Sequence, residues 1–458
     1  MDSPRSRGIV VFGGGTATNS IVDIFDDLRQ SRNCSLTYVI PISDNGGSTS
    51  EIIRVLGGPG IGDLRSRLVR LIPKSSSDTD LAATKALFNG RLSSHSEDAR
   101  AQWLDLVEGR HNLWRHVPSD KRELVRSFFN HVNLEIVKRA RPGNTFDFAR
   151  AAVGNLFLTG ARLFSGSLES SIYLLSQICE IPPSTMVLPS INSNFTHHIS
   201  AGLADGSVIT GQNAISHPSA PTSLPDDARL ARREDMDDGD WVEDESLPGS
   251  LPSLRQQNIE FSKVAEEDLP TRVQKVWYID PYGHEIMPYA NPKVVEAIQG
   301  SSTVIYSIGS LYTSIVPSLI VRGVGRAIAS SPGVQQKVLI LNSSVDRETG
   351  PSSNPLTATD FVLAIAKAAA QSQGLQTKRE DLDSAFVRRY VTHLIHLDGD
   401  GTPEVDREEL QRLGVDCLRV YGRRVDGLLR YDEDALARAL MAVVGRGEMG
   451  RSRRNTDL

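Results

Sequence analysis

Apolar positions along this chain follow two spacings that alternate. Gly8 to Phe12 is a short run rich in β-branched residues, and after a glycine-rich loop Ile21, Ile24, Phe25 and Leu28 recur at helical spacing. The pattern repeats at once: "LTYVIPI" (36–42) reads as a buried strand, "SDNGGS" as a loop and "TSEIIRVL" as a helix. Near-continuous apolar strands alternating with amphipathic helices predict an α/β protein whose mainly parallel sheet is covered on both faces.

Residues 63–180 read as a helical segment, because "LRSRLVRLI", "KRELVRSFFNHVNLEIVKRA" and "FARAAVGNLFLTGARLF" carry apolar residues three and four apart. "TMVLPS" restores a strand. "ISAGLADGSVITG" then has two alternating runs joined by Asp205-Gly206, which predicts a β-hairpin on the sheet. Residues 216–265 break the pattern. Asp226 to Glu245 alone carry ten acids and three arginines, too little apolar surface to offset the entropy of ordering. A disordered acidic insertion is expected there, with a docking segment for a protein partner as the alternative. The sheet is expected to resume with "VQKVWYI" (273–279), and "NPKVVEAI" offers Asn291 as a helix cap with Pro292 at the first helical position. Later strands and helices continue the alternation. One domain over 8–425 and a C-terminal helix with a frayed tail over 426–458 complete the reading.

Composition narrows the function classes. A chain of 458 residues, 39% hydrophobic, can bury a large core. Its 50 Lys and Arg against 56 Asp and Glu give a net charge of −6, so there is no global positive field for nucleic acid. No apolar run approaches the roughly 18 residues of a membrane span. The scattered Cys34, Cys179 and Cys417 fit a reducing compartment, and neither a disulfide framework nor a zinc site. A cytoplasmic protein without membrane or nucleic-acid partners is expected, and a homo-oligomer is left open.

Candidate chemistry sits in the loops at the carboxyl ends of the strands, where open parallel sheets bind ligands. Gly13, Gly14 and Gly15 expose backbone N–H groups before a helix N-terminus, a place that favours phosphate, and Thr16 adds a hydroxyl. A tight turn that needs glycine for its geometry is the competing reading. The loop lacks the lysine of a P-loop. It also fails the dinucleotide fingerprint, because the third glycine falls on Thr18 and Asp44 lies 29 residues after Gly15. In "SDNGGS", Asn45, Gly46, Gly47 and Ser48 suit a diphosphate, and Asp44 is a candidate ligand for Mg²⁺ or partner of a sugar hydroxyl. "GDLRSRL" adds Gly62, Asp63, Arg65 and Arg67. Two arginines spaced by two cannot share a helix face, so at most one is expected to face a ligand. Asp63 is the candidate acid–base group, or simply a helix cap.

The ordered motifs "GGGT", "SDNGGS", "GDLRSRL", "GNLFLTGARL", "LADGSVITG", "NPKVVEAI", "IGSLYTSIVPSLIV" and "LNSSVDRETG" resemble the CofD-like family. That family includes archaeal 2-phospho-L-lactate transferase and the bacterial gluconeogenesis factor, and the intervening helices look more like the latter. The resemblance implies a three-layer Rossmann-like fold that binds a nucleoside diphosphate or nucleotide sugar at its strand ends. By family position, Asn155 and Asn342 are expected to face the cleft, with Gly309, Ser310, Tyr312 and Thr313 lining it. Where the family carries a glycine after "GGGT" and a proline before Gly309, this chain has Ala17 and Ile308.

Two function classes follow: a transferase of phosphorus-containing groups, with Mg²⁺ as its metal, and a regulator that senses a nucleotide sugar without chemistry. A nicotinamide oxidoreductase is the third and weakest. His197 and His198 open a hairpin strand, where one must point outward. "DGDGTPEVDREE" (398–409) places Pro403 where a calcium loop needs glycine, which excludes that site.

Overall fold

The computed structural model describes residues 7–73, 79–141, 145–216, 251, 268–378 and 381–454. The acidic stretch at 216–265 lies almost wholly outside these residues, as does the end of the tail from 455. In chain order the first strands are β1 (Gly8–Phe12), β2 (Leu36–Ile40), β3 (Thr185–Pro189), β4 (His198–Leu203) and β5 (Val208–Thr210). They are followed by β6 (Val273–Ile279), β7 (Glu285–Ile286), β8 (Ser301–Tyr306), β9 (Gln336–Ile340), β10 (His393–His396) and β11 (Asp416–Arg419).

Seven of these form one sheet in the order β11-β10-β9-β8-β1-β2-β3, and every neighbouring pair is parallel. The chain winds from β1 outward to β3, returns to the centre, and winds from β8 outward to β11. β1 and β8 therefore flank the topological switch point, where a doubly wound sheet leaves a crevice. All five residues of β1, β2 and β9 are buried, as expected of strands covered by helices on both faces.

The helices that matter for the crevice are α1 (Thr16–Asn19), α2 (Val22–Arg32), α3 (Ser48–Leu56) and α4 (Gly62–Arg70). The helical segment follows as α5 (Thr79–Asn89), α6 (Ser96–Glu108), α7 (Ser119–Arg139), α8 (Val153–Ser165) and α9 (Leu168–Ile178). Its core is aromatic: Trp103 packs on Phe129 at 5.2 Å between ring centroids, and Phe88 on Phe157 at 5.1 Å. As its sequence predicts, Asn291 caps the helix Pro292–Gln299, accepting from the Lys293 N–H at 3.0 Å.

Three expectations are corrected. The hairpin β4–β5 turns at Gly206 as expected, but it does not join the main sheet; it lies in a second, antiparallel sheet of order β5-β4-β6-β7. Strand β6 belongs there too. Its exposed Gln274 and Lys275 interrupt the apolar run, which a strand at the centre of a parallel sheet does not tolerate. This sheet leans on the helix Ala358–Gln371, with Gln371 donating to the Val276 carbonyl at 2.9 Å. The C-terminal tail is helical over Glu433–Arg454, where fraying was expected from residue 445. Arg32 on α2 donates to the Val444 carbonyl at 2.8 Å, and Leu440, Val443 and Val444 are buried, so packing holds this helix in place up to residue 444.

Candidate functional site

A cavity of about 570 Å³ opens at the carboxyl ends of β1 and β8. Gly14, Gly15 and Thr16 form one wall, Asp44 and Gly46 to Ser48 a second, Gly62, Asp63 and Arg65 a third, and Gly309, Ser310 and Thr313 a fourth, with Asn155 between. Fourteen of the eighteen sequence candidates line it; Gly13, Asn45, Tyr312 and Asn342 do not.

Each of those four has a different task. Gly13 donates its N–H to the Val39 carbonyl at 3.4 Å, continuing the sheet, so that amide is not free for a ligand. A Cβ on Gly13 would lie 2.4 Å from Thr18 Oγ1, so the residue is a packing glycine. Asn45 is buried and clips the second loop to the helix Gln212–Ser216, accepting from Asn213 Nδ2 at 2.9 Å through its carbonyl. Asn342 brackets Gly309, accepting from its N–H at 3.0 Å and donating to its carbonyl at 2.9 Å. That brace holds a residue with φ of 142°, a conformation that excludes side chains. Tyr312 points the opposite way. Its hydroxyl donates to the Val273 carbonyl at 3.2 Å, and its ring lines a separate cavity between β6 and the helix Ala358–Gln371.

Tyr312 and Thr313 part company because Leu311–Ile315 is a π-helical turn. Glu348 fixes that turn from behind. Its buried carboxylate accepts from the N–H groups of Tyr312 at 2.9 Å and Thr313 at 3.0 Å, and from the Thr313 hydroxyl. Burial, with the nearby Asp346 charge, pushes the Glu348 carboxyl up to about 8 despite these donors.

The first glycine loop is shaped by Asp63 and Arg67. Arg67 is wholly buried, stacks 4.5 Å over the Tyr38 ring and donates Nη2 to the Gly14 carbonyl at 2.7 Å. The carbonyl of Gly14 and the N–H of Gly15 belong to one planar trans peptide and point in opposite directions. With the oxygen held by Arg67, the Gly15 N–H turns toward Asp63, whose carboxylate accepts it. Arg65 faces the cavity instead, which resolves the choice between the two arginines. Asp63 lies in the first turn of α4, whose cap is Ile61, so Asp63 is not a helix cap.

Asp44 accepts from the Gly46 N–H at 3.0 Å, yet burial and the Asp63 charge raise its carboxyl to about 7. Burial raises Asp63 as well, against the Gly15 N–H and the charges of Arg67 and Arg65. Two hard oxygen donors held together at the starts of α3 and α4 suit a divalent cation, whose charge would relieve the repulsion. Among the described residues no cluster of three or more His, Cys, Asp or Glu gathers. Phosphate oxygens and water would thus complete any coordination shell here.

Sequence reasoning missed Arg91, which lines the cleft near Arg65, and the scaffold roles of Arg67 and Glu348. Arg91 sits in "FNGRL" with no motif around it to give it away. His198 is buried in β4, and burial lowers its imidazole to about 4; neither it nor His197 reaches the cleft wall.

Residues 9–421 match the family model of 2-phospho-L-lactate transferase CofD. The chain belongs to the CofD family. This CofD-family chain is 37% identical over 434 residues to an uncharacterized protein of Saccharomyces cerevisiae, covering 90% of this chain and 95% of that protein. It is 22% identical to the gluconeogenesis factor of Bacillus subtilis over 434 residues, 93% of each. The crystal structure of a UPF0052-family member from Bacillus halodurans superposes with a TM-score of 0.58 at 18% identity, covering 96% of this chain and all of that one, and shows the same fold. The glycine loops, the carboxylate pair and the braced Gly309 all lie within the matched span.

Proposed function

We propose that the cleft binds the diphosphate of a nucleoside diphosphate or nucleotide sugar, with Mg²⁺ held between Asp44 and Asp63. The observation that carries this reading is the confinement of two half-buried carboxylates between the glycine loops at the switch point of the sheet. A cation there would neutralise charge on the phosphates and on the two carboxylates together. Gly47, with nothing within 4 Å of where a Cβ would stand, leaves the backbone open to close approach, and the starts of α3 and α4 add favourable dipole ends for an anion.

Chemistry is a second reading, favoured by the place of Asp63 at the cavity wall. An acceptor hydroxyl that attacks phosphorus must give up its proton as the bond to the nucleotide breaks, and with the cation resting on Asp44 the Asp63 carboxylate is placed to take it. The family description favours such a transfer, whereas the name of the Bacillus subtilis relative favours regulation of carbon metabolism.

The test is thermal denaturation with UDP-, GDP- and NAD-type ligands, each with and without Mg²⁺. A ligand bound only by the native state raises the midpoint with concentration. The proposal expects a Mg²⁺-dependent rise with a diphosphate ligand. Equal shifts with EDTA present, or a response to NAD alone, would count against it. Incubation of the binding donor with candidate acceptors then separates transfer from sensing.

A further inference from the structure

The helix Gln212–Ser216, which follows β5, supplies a further stretch of the cavity wall through Gln212 and Asn213. Both side chains are more than nine-tenths buried, at 8% and 7% exposure. Each carboxamide is anchored at one end. The Ser43 hydroxyl donates to Gln212 Oε1 at 2.8 Å, and among the described residues nothing accepts from Gln212 Nε2. Asn213 donates Nδ2 to the Asn45 carbonyl at 2.9 Å, and no donor among the described residues reaches Asn213 Oδ1. A carbonyl oxygen only accepts, so the anchored end of Asn213 is its nitrogen and the open end its oxygen.

The anchors also fix where these amides stand. Ser43 and Asn45 flank Asp44 in the chain, so the helix is pinned on both sides of one of the two cleft carboxylates. The Asn213 N–H adds another tie, to Asn45 Oδ1 at 3.3 Å. An open donor and an open acceptor thus lie on adjacent residues beside Asp44, and neither carries charge. Buried amide ends need partners. A ligand that displaces water from this wall must offer both an acceptor and a donor, or affinity is lost. A hydroxyl group offers both. The sugar joined to a diphosphate brings hydroxyls within a few bonds of phosphorus, whereas a nucleobase lies a whole ribose farther away.

We propose that Gln212 and Asn213 are specificity-determining residues that hydrogen-bond the hydroxyls of a sugar joined to the diphosphate, Gln212 as donor and Asn213 as acceptor. This rests on the reading that the cleft takes a diphosphate on a cation at Asp44 and Asp63. The ribose and a second sugar beyond the diphosphate share this chemistry. A site built around such a bond discriminates against a ligand that lacks the hydroxyl, because the buried amide end is then left unpaired.

The experiment titrates the full chain calorimetrically in excess Mg²⁺ with pyrophosphate, with UDP and GDP, and with UDP-glucose and GDP-mannose, in wild type and in Gln212→Met. Methionine keeps the length of the side chain and removes both polar ends. Pyrophosphate has no sugar hydroxyl, so its affinity should stay within about twofold of wild type, while that of the sugar-bearing ligands should fall about tenfold. A fall shared by the nucleoside diphosphates and the nucleotide sugars assigns the ribose; a fall confined to the nucleotide sugars assigns the second sugar. No fall for any ligand, or the same fall for pyrophosphate as for the others, overturns the proposal, the latter because Gln212 would then act only through the loop of Asp44. A second measurement needs no variant. Among singly deoxygenated analogues of the tightest ligand, at least one should bind wild type about tenfold more weakly than its parent. Equal binding of parent and every analogue also overturns the proposal. If pyrophosphate fails to bind wild type but a sugar-bearing ligand binds in a Gln212-dependent way, the diphosphate reading falls and the hydroxyl contact stands. Failure of every ligand to bind removes both.

Discussion

Asp44 comes from the loop after β2 and Asp63 from the first turn of α4, yet they meet across Gly62, where a Cβ would stand 3.0 Å from Asp44 Oδ2. Each is half-buried at the cavity wall, and Asp63 is one reason why the Asp44 carboxyl rises to about 7. Such a pair is costly in an empty site, because two like charges share a low-dielectric space. The cost is tolerable where a cation belongs.

Gly15 is needed by Asp63 as much as by a ligand. A Cβ on Gly15 would lie 2.3 Å from Asp63 Oδ1 and 3.2 Å from the Asp63 Cα. Gly15→Ala should therefore lower stability by about 1–3 kcal/mol through overpacking and abolish diphosphate binding. Adding Asp63→Ala should restore much of the stability but none of the binding, which denaturant titration and calorimetry on the double variant check. A Cβ on Gly14 would lie 2.7 Å from Ser314 Oγ and 2.9 Å from Asp63 Oδ2, so a bulky residue there perturbs the fold as well as the cleft.

Arg67 acts through the Gly14–Gly15 peptide and touches no ligand. Two of its guanidinium nitrogens, Nε and Nη1, are buried without hydrogen-bond partners, so Arg67→Met removes desolvated polar atoms along with the donor to Gly14. Stability should change by less than about 2 kcal/mol. Diphosphate affinity should fall about tenfold, because the Gly15 N–H is no longer aimed. An affinity equal to wild type in a folded variant would show that the peptide needs no such brace.

Glu348 predicts a pH dependence with a definite sign. Its carboxyl rises from about 4.5 to about 8, so the folded protein binds the extra proton and stability falls as pH climbs through that interval. Glu348→Gln imitates the protonated group and keeps an oxygen for the two N–H donors, so it should flatten this part of the Tm profile between pH 5 and 9. Glu348→Ala leaves three donors without acceptors and should cost about 2–4 kcal/mol near pH 5, and less as pH climbs toward 8.

Tyr312→Phe separates the cleft from its surroundings. Loss of the hydroxyl leaves the Val273 carbonyl without this donor and should cost about 1 kcal/mol. Ligand affinity should stay at the wild-type value, because the side chain faces the other cavity. A large loss of affinity would return Tyr312 to the position that the family resemblance implies.

The fold was largely readable from spacing, because a buried parallel strand announces itself by an unbroken apolar run, as "GIVVF" does. The placement of β4 to β6 was not. Alternation shows that a hairpin has one buried face but says nothing of which surface covers it, and only Gln274 and Lys275 hinted that β6 stands outside the main sheet. In the cleft, the glycines and Asp44 were legible because special backbone and a lone carboxylate stand out at a strand end. Tyr312 was misplaced because a π-helical turn rotates its neighbours off the helical register. Arg91, Arg67 and Glu348 come from separate segments whose meeting depends on tertiary packing, and no local pattern marks them.

The central claim is that Asp44 and Asp63 hold a cation against a diphosphate. Calorimetric titration of GDP and UDP, with Mg²⁺ and with EDTA, into wild type and Asp44→Asn tests it most directly. Asparagine keeps the shape and removes the charge, and it also lifts the repulsion on Asp63, so the empty variant should be at least as stable as wild type at pH 8. The account predicts saturable binding by wild type in Mg²⁺, and a loss of about tenfold or more both in EDTA and in Asp44→Asn. Binding of equal strength in all these conditions, or no binding by the folded wild-type protein, would contradict it.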